Sequence, residues 1–242
     1  MTVFFDLDDT LYDQLEPFRK AVADTGFACS GEELYALFRR IRHHSDTMWP
    51  LYVNGEISLN EMRIVRAQKA FKDTGMEITE DEAAKLQDSY VFYQAQLSFY
   101  PGVEDVFHLL QSANIQIGLI TNGPGEHQRK KIEALGLSEW IPEELQFISE
   151  EIGLTKPDTA VFHYVNEKSG TLPEQSVYVG DNWINDIEPA KHSGWQAVWF
   201  NDRHLQQPKS VEPDAVATSF AELYDWLNEQ YIPFEPERSA IE

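Results

Sequence analysis

Five short apolar runs punctuate this chain, each stopping at polar or glycine residues, with helix-like stretches between them. They are Val3-Phe4-Phe5, Ile115-Gln116-Ile117-Gly118-Leu119-Ile120, Gln146-Phe147-Ile148, Ser176-Val177-Tyr178-Val179 and Gln196-Ala197-Val198-Trp199-Phe200. Ala215-Val216-Ala217 reads as a short sixth. Runs that are apolar throughout, rather than alternating, suit strands covered on both faces of a parallel sheet. Helical stretches fall over 103–112, up to Leu135, over 160–168, around 186–192 and over 220–228. Strands alternating with helices predict right-handed crossovers and a doubly wound sheet. The expected fold class is α/β, with a Rossmann-like doubly wound parallel sheet as its core.

One interval breaks the alternation. From Glu16 to Ser98 the pattern is helical with few strand-like runs. Pro17 suits a first helical turn, and Ser30 ahead of Glu32-Glu33 suits an N-cap. Ser58 with Glu61, and Thr79 with Glu82, have capping-box spacing. A turn is expected near Trp49-Pro50. The expected organisation is therefore a first strand and catalytic loop over 1–14, an inserted all-α helical cap domain over 15–98, the rest of the α/β core over 99–232, and a mobile tail over 233–242.

The strand ends carry the chemistry. Strand one runs into Asp6-Leu7-Asp8-Asp9-Thr10. Ligands in open α/β sheets bind beyond the carboxyl ends of the strands. Two carboxylates this close need a proton or cation between them, and Mg²⁺ would serve. A carboxylate can attack phosphorus, and a second can move protons to and from the oxygens involved. A solvated acidic turn is the plain alternative. A calcium-binding EF-hand loop starting at Asp6 fails, because its sixth and twelfth positions would be Leu11 and Pro17 rather than Gly and Glu. Strand two ends in Thr121-Asn122-Gly123, either an anion site or a helix cap. Lys156-Pro157-Asp158 puts a lysine at a helix entrance, to neutralise a phosphate or to sit in solvent. Strand four ends in Gly180-Asp181, with Asp186 five residues on. Asp181 would complete an oxygen cage with Asp6; Asp186 would orient water on the ion or Lys156, or cap the following helix.

Together these stretches resemble the haloacid dehalogenase-like (HAD) hydrolase superfamily, over essentially the whole chain up to the tail. Asp6-Leu7-Asp8-Asp9-Thr10, Thr121-Asn122, Lys156-Pro157 and Gly180-Asp181 with Asp186 match its four motifs in order. The resemblance implies that Asp6 is nucleophile and metal ligand, and that Asp8 is general acid/base and reaches Mg²⁺ through its backbone carbonyl. It gives Thr121, Asn122 and Lys156 to the phosphoryl group and Asp181 to the metal. Trp49-Pro50-Leu51-Tyr52, Asn54-Gly55-Glu56-Ile57-Ser58 and Ile148-Ser149-Glu150-Glu151-Ile152-Gly153 look most like the nucleotidase-like branch. Trp183 stands where a smaller loop residue is expected, and could narrow the mouth of the site.

The expected function is a Mg²⁺-dependent phosphomonoester hydrolase, acting through an aspartyl-phosphate on a small phosphorylated metabolite such as a nucleoside monophosphate. A phosphotransferase or mutase is the runner-up. A dehalogenase needs no metal and would lack the Asp8 carboxylate, and a silent binding module leaves the full set of groups without a purpose. In the cap, Arg39, Arg40, Arg42, His43, His44, Trp49, Tyr52, Arg63 and Arg66 are the candidates for touching a leaving group.

Charge and composition limit the partners. A net charge of −22 argues against nucleic acid polymers and anionic membranes. It also opposes any anionic substrate, so a bound cation and a local lysine must reverse the sign inside the site. No apolar run reaches the roughly 18 residues of a membrane span, and no secretory leader is recognisable at the N-terminus. With one cysteine, Cys29, no intramolecular disulfide forms, and a cytoplasmic setting is expected.

Overall fold

A computed structural model describes residues 1–232 of the chain. The tail expected over 233–242 lies outside the described residues. The chain divides into two compact units, Met1–Tyr12 with the segment from Ser98 onward, and Asp13–Leu97.

The first unit is built on six parallel strands: β1 (Thr2–Phe5), β2 (Gln116–Thr121), β3 (Gln146–Ile148), β4 (Ser176–Gly180), β5 (Gln196–Phe200) and β6 (Ala215–Ala217). Their order is β3-β2-β1-β4-β5-β6, which is the doubly wound order. The chain works outward from β1 on one side, then returns to start again at β4 on the other. The reversal beside β1 opens a crevice at the strand ends. Each residue of β1 pairs on both sides, Phe5 with Leu119 and with Val179.

The apolar runs behave as their composition requires. All four residues of β1 and all five of β4 are buried. Phe4 packs on Trp195 with ring centroids 5.1 Å apart, and Phe5 meets Phe107 at 5.4 Å. Burying one such side chain contributes about 1.5–3 kcal/mol. Gly118 is required by this packing, because a Cβ there would lie 2.3 Å from the ring of Phe4. The helices of this unit are α5 (Val103–Ser112), α6 (Gly125–Ala134), α7 (Ser149–Ile152), α8 (Ala160–Ser169), α9 (Glu188–His192) and α10 (Phe220–Tyr231). Those that position the site are α6, after β2, and a π-helical turn, Trp183–Ile187, running into α9 after β4.

The second unit is four helices, α1 (Leu15–Thr25), α2 (Gly31–Val53), α3 (Leu59–Asp73) and α4 (Glu80–Gln94). They enclose a core that includes Phe18, Leu37, Phe38, Ile41, Phe71 and Leu86. Ser30 with Glu33 and Thr79 with Glu82 form full capping boxes, while Ser58 caps only through its own hydroxyl. The turn expected near Trp49-Pro50 is absent: α2 continues through Pro50 to Val53. A proline in the last turn forfeits one backbone bond near an end that frays anyway. The apolar stripe from Leu34 to Met48 has by then anchored the helix. No helix among the described residues is long and apolar enough to cross a membrane.

Candidate active site

The sheet holds the chain one residue beyond β1. Asp6 N–H donates to Val179 O at 2.9 Å, so its side chain leaves from a fixed backbone. The chain then turns over itself, with Leu11 N–H donating to Leu7 O at 3.0 Å. Leu7 and Leu11 are both fully buried and pull the loop against the core. Asp9 adopts a left-handed conformation, φ 58°, with its carboxylate on Arg203 at 2.8 Å. Thr10 Oγ1 accepts from Asp181 N–H at 3.1 Å, and Asp181 O accepts from the Trp199 indole at 2.8 Å. The ends of β1 and β4 are thereby tied together.

Lys156 reaches the acidic pocket from the loop after β3. It is 4% exposed. Its Nζ donates to Asp6 Oδ1 at 2.7 Å, Asp186 Oδ1 at 2.6 Å and Tyr178 Oη at 2.6 Å, which uses all three ammonium protons. Burial pulls the lysine pKa down, but Asp186 and Asp6 outweigh it and hold the ammonium charged. Asp6 shifts the other way. Burial, above all, lifts its carboxyl to about 7; Lys156 opposes this, and Asp186 and Asp8 add to it. One lysine is too little positive charge for the carboxylates gathered here.

Asn122 has a structural task beside the one its motif suggests. Its amide is bonded to the backbone of Lys156, donating to O at 2.8 Å and accepting from N–H at 3.0 Å. It therefore fixes the lysine loop through its oxygen and one amide proton. Thr121 is not a helix cap, because Pro124 holds that position in α6. The Thr121 hydroxyl accepts from Gln128 Nε2 at 2.6 Å.

Asp186 is not a cap either. Asn182 caps the turn after β4, accepting from the backbones of Ile184 and Asn185. Asp186 is 1% exposed and takes Lys156 on one oxygen and Asn182 N–H, at 2.9 Å, on the other. Gly180 makes room for it: a Cβ there would lie 2.5 Å from Asp186 Oδ2. Trp183 turns away from the role of narrowing a mouth. It is buried against Trp199, ring centroids 5.1 Å apart, with its indole N–H on Glu188 and Ser210.

Two further residues enter the site unannounced by any motif. Lys131, 3% exposed, sits on both oxygens of Asp8 at 2.6 and 2.9 Å. Gln128 donates to Asp8 Oδ2 at 3.2 Å. The readable signal was the stripe of α6: Ile132 and Leu135 are buried, and helical spacing back from them falls on Gln128 and Lys131.

The donor set fits a hard divalent cation. Asp6, Asp181 and Asp186 each bring a carboxylate oxygen within 4.8 Å of the others. Oxygen ligands with surplus negative charge are what Mg²⁺ takes, and three carboxylates here face one lysine.

A strand-end acidic site at the switch point of a doubly wound sheet, with a lysine delivered from a neighbouring loop, defines a class of α/β hydrolases. A family model for haloacid dehalogenase-like hydrolases matches residues 1–194, and the chain belongs to that family. Among characterised relatives, it is 28% identical over 230 residues to the pyrimidine 5′-nucleotidase YjjG of Escherichia coli, covering 93% of this chain and 96% of that protein. It is 26% identical over 243 residues to a phosphoserine phosphatase of Thermus thermophilus, covering 92% and 97%. The fold is shared with the L-2-haloacid dehalogenase of Xanthobacter autotrophicus, at a TM-score of 0.71 and 15% identity over 95% of this chain and 98% of that one.

Proposed function

We propose that this hydrolase is a Mg²⁺-dependent phosphomonoesterase that works through an aspartyl-phosphate at Asp6. The observation that carries the reading is the pairing of Asp6 with a second carboxylate, Asp8, beside an oxygen cluster that has more negative charge than Lys156 offsets. An attack on a carbon–halogen bond would need neither the second carboxylate nor the cluster.

Asp6 and Asp181 are the direct ligands in this reading, helped by the Asp8 carbonyl. Asp186 already accepts from Lys156 and Asn182 and stands behind them. The ion supplies charge neutralisation for a phosphoryl group approaching an acidic protein. Lys156, whose three protons go to Asp6, Asp186 and Tyr178, offsets phosphoryl charge and gives up one of these bonds to reach a phosphoryl oxygen, while the Thr121 hydroxyl holds another. Because Thr121 Oγ1 accepts from Gln128, its own proton remains available to donate. An Asp6 oxygen attacks phosphorus, the ester P–O bond breaks, and the leaving oxygen takes a proton from Asp8. Asp8, now a carboxylate, takes a proton from water, whose oxygen attacks the phosphorus of the aspartyl-phosphate. The Asp6–phosphorus bond breaks, and inorganic phosphate leaves.

The helical unit acts as the cap that selects the leaving group. The 5′-nucleotidase relative makes nucleoside 5′-monophosphates the first substrate class to assay, followed by phosphoserine. Asp6→Asn is expected to abolish turnover of p-nitrophenyl phosphate while the protein remains folded and melts cooperatively. EDTA should abolish it in the wild type, and Mg²⁺ should restore it. Turnover that survives Asp6→Asn would overturn the mechanism. Metal-independent release of halide from a 2-haloacid would replace it with dehalogenation.

A further inference from the structure

A buried lysine is expensive unless its charge is matched, and Lys131 is matched by the side chain assigned to proton transfer. Three side chains donate to Asp8. Tyr12 Oη donates to Oδ1, Lys131 spans both oxygens, and Gln128 Nε2 donates to Oδ2. Gln128 and Lys131 are three residues apart on α6 and share one face. Both are buried, at 1% and 3% exposure.

An ion pair that only pinned α6 to the loop after β1 would require nothing of Gln128. Yet the two protons of its single amide nitrogen go to Asp8 Oδ2 and to Thr121 Oγ1. That one group therefore sets the spacing between the proton-transfer carboxylate and the hydroxyl at the phosphoryl position. The two neighbouring cations on the helix make the contrast clear. Arg129 pairs with Glu151 and Lys130 with Glu126, and Arg129 also reaches Gln146 Oε1 at 2.7 Å; of the three, Lys131 is the one that is buried.

We infer that Lys131 and Gln128 are positioning residues, holding the Asp8 carboxyl in register with Thr121; as Asp8 takes up the proton that it passes to the leaving oxygen, it gives up one of these accepted bonds and the others keep that register. The inference rests on the phosphatase reading. It makes the two residues matter most where the leaving oxygen needs that proton. An alkyl phosphate, such as a nucleoside 5′-monophosphate or glycerol phosphate, must have its leaving alkoxide protonated. p-Nitrophenolate leaves without help.

The test is kcat/KM for an alkyl ester and for p-nitrophenyl phosphate, because kcat/KM reports transfer to Asp6 before water enters. It is measured in wild type, Lys131→Met, Lys131→Arg, Gln128→Leu, Asp8→Asn and the Asp8→Asn/Lys131→Met double variant. Misplacing a catalytic group by about 1 Å costs on the order of 10²-fold. Lys131→Met is expected to lose about that on the alkyl ester and about tenfold less on the aryl ester. Lys131→Arg should recover part of the loss, and Lys131→Met should cost nothing further once Asp8 is Asn. Equal losses on the two esters, or a full additional loss in the double variant, would overturn the inference. Gln128→Leu changes no charge, so if Lys131→Met fails to fold, its own alkyl-to-aryl difference decides the question on the same terms. A wild type that turns over neither ester, or an Asp6→Asn variant that turns over both, would instead sink the phosphatase reading and the inference with it.

Discussion

The strand-end pocket and the helical unit each bury charge, and they are short of opposite signs. In the pocket, Asp6 and Asp186 share Lys156, and burial drives the Asp6 carboxyl up to about 7. In the helical unit, Arg66 bonds to two neutral oxygens, Ser45 Oγ and Gln87 Oε1, each at 2.8 Å. There burial drives the guanidinium down to about 10, with Arg63 and Arg42 adding to the fall and Tyr90 and Asp46 opposing it. The same desolvation acts in both places. What differs is the wiring. Lys156 is a hub with three short bonds to groups of the reaction site, whereas Arg66 bonds only to amide and hydroxyl groups among these contacts and shares the charge of Asp46 with Arg42 and His43. An unbalanced charge thus marks a functional centre only where opposite charges already converge on it.

The largest effect that separates the two regions is removal of the hub. Lys156→Met leaves Asp6 and Asp186 buried without their cation, and losing one partner of a buried pair costs about 3–5 kcal/mol. Turnover should vanish with it, and added Mg²⁺ should recover part of the stability by supplying the missing charge. Urea denaturation with and without Mg²⁺ reads both. A loss below about 1 kcal/mol, the range of exposed pairs, would mean that the pocket is no more tightly wired than the surface.

Gly180→Ala comes next. The added Cβ lands on Asp186, in fully packed surroundings, and overpacking costs about 1–3 kcal/mol. Because Asp186 positions Lys156, kcat should fall more than stability alone explains. A variant with native kcat and native midpoint would show that Asp186 has slack.

The pH dependence is smaller and has a definite sign. With its carboxyl raised from 3.8 to about 7, Asp6 favours the folded, metal-free protein at low pH. That contribution is complete below about 4 and is lost as pH rises through about 7. Carboxylates whose pKa is lowered, such as Glu16 beside Arg19, give the opposite slope, so the difference between wild type and Asp6→Asn is the quantity to measure. In EDTA, the wild type should lose up to a few kcal/mol relative to Asp6→Asn between pH 5 and 8, as an order of magnitude. Mg²⁺ should stabilise the wild type more at pH 8 than at pH 5. Parallel pH profiles would mean that the pocket holds no surplus charge for a cation to offset.

How much of this was legible in the sequence follows from what each signal depends on. Strands β3 and β5 coincide with their apolar runs because a covered strand has no polar side to blur its ends; β6 coincides too, although Val216 on this edge strand is exposed. Asp6, Thr121 and Asp181 stand out because each is a polar group that ends an apolar run, and Lys156 because Pro157-Asp158 marks a helix entrance beside it. Pro50 misled, since its cost depends on how firmly the rest of α2 is anchored, which is a tertiary property. Trp183 misled because the partner that buries it, Trp199, lies on another strand. Lys131 was hidden among Arg129, Lys130 and Lys131, three cations in a row of which helix phase and Asp8 together select one. Asn122 was given to the substrate because an amide at a strand end suits an anion equally well. Only the loop carrying Lys156, 34 residues later in the chain, shows where its bonds go.

The smallest effect is the most discriminating for the comparison. Arg66→Met removes a desolvated charge that pairs with neutral oxygens, and methionine fills much of the space left by the arginine stem. Ser45 keeps its own bond to Ile41 O at 2.7 Å, so chiefly Gln87 loses a donor, at a cost of about 1–3 kcal/mol. Relief of the desolvated guanidinium works against that cost. The net change should lie within about 1 kcal/mol of zero, and can be stabilising, as replacement of buried charge by apolar packing often is. Lys156→Met and Arg66→Met exchange a buried and a half-buried cation for the same thioether, so the two sites are compared with the same replacement side chain. If the Arg66 variant loses as much as the Lys156 variant, the helical unit contains a charge hub of its own, and burial of charge alone, rather than convergence of opposite charges, is what the two regions share.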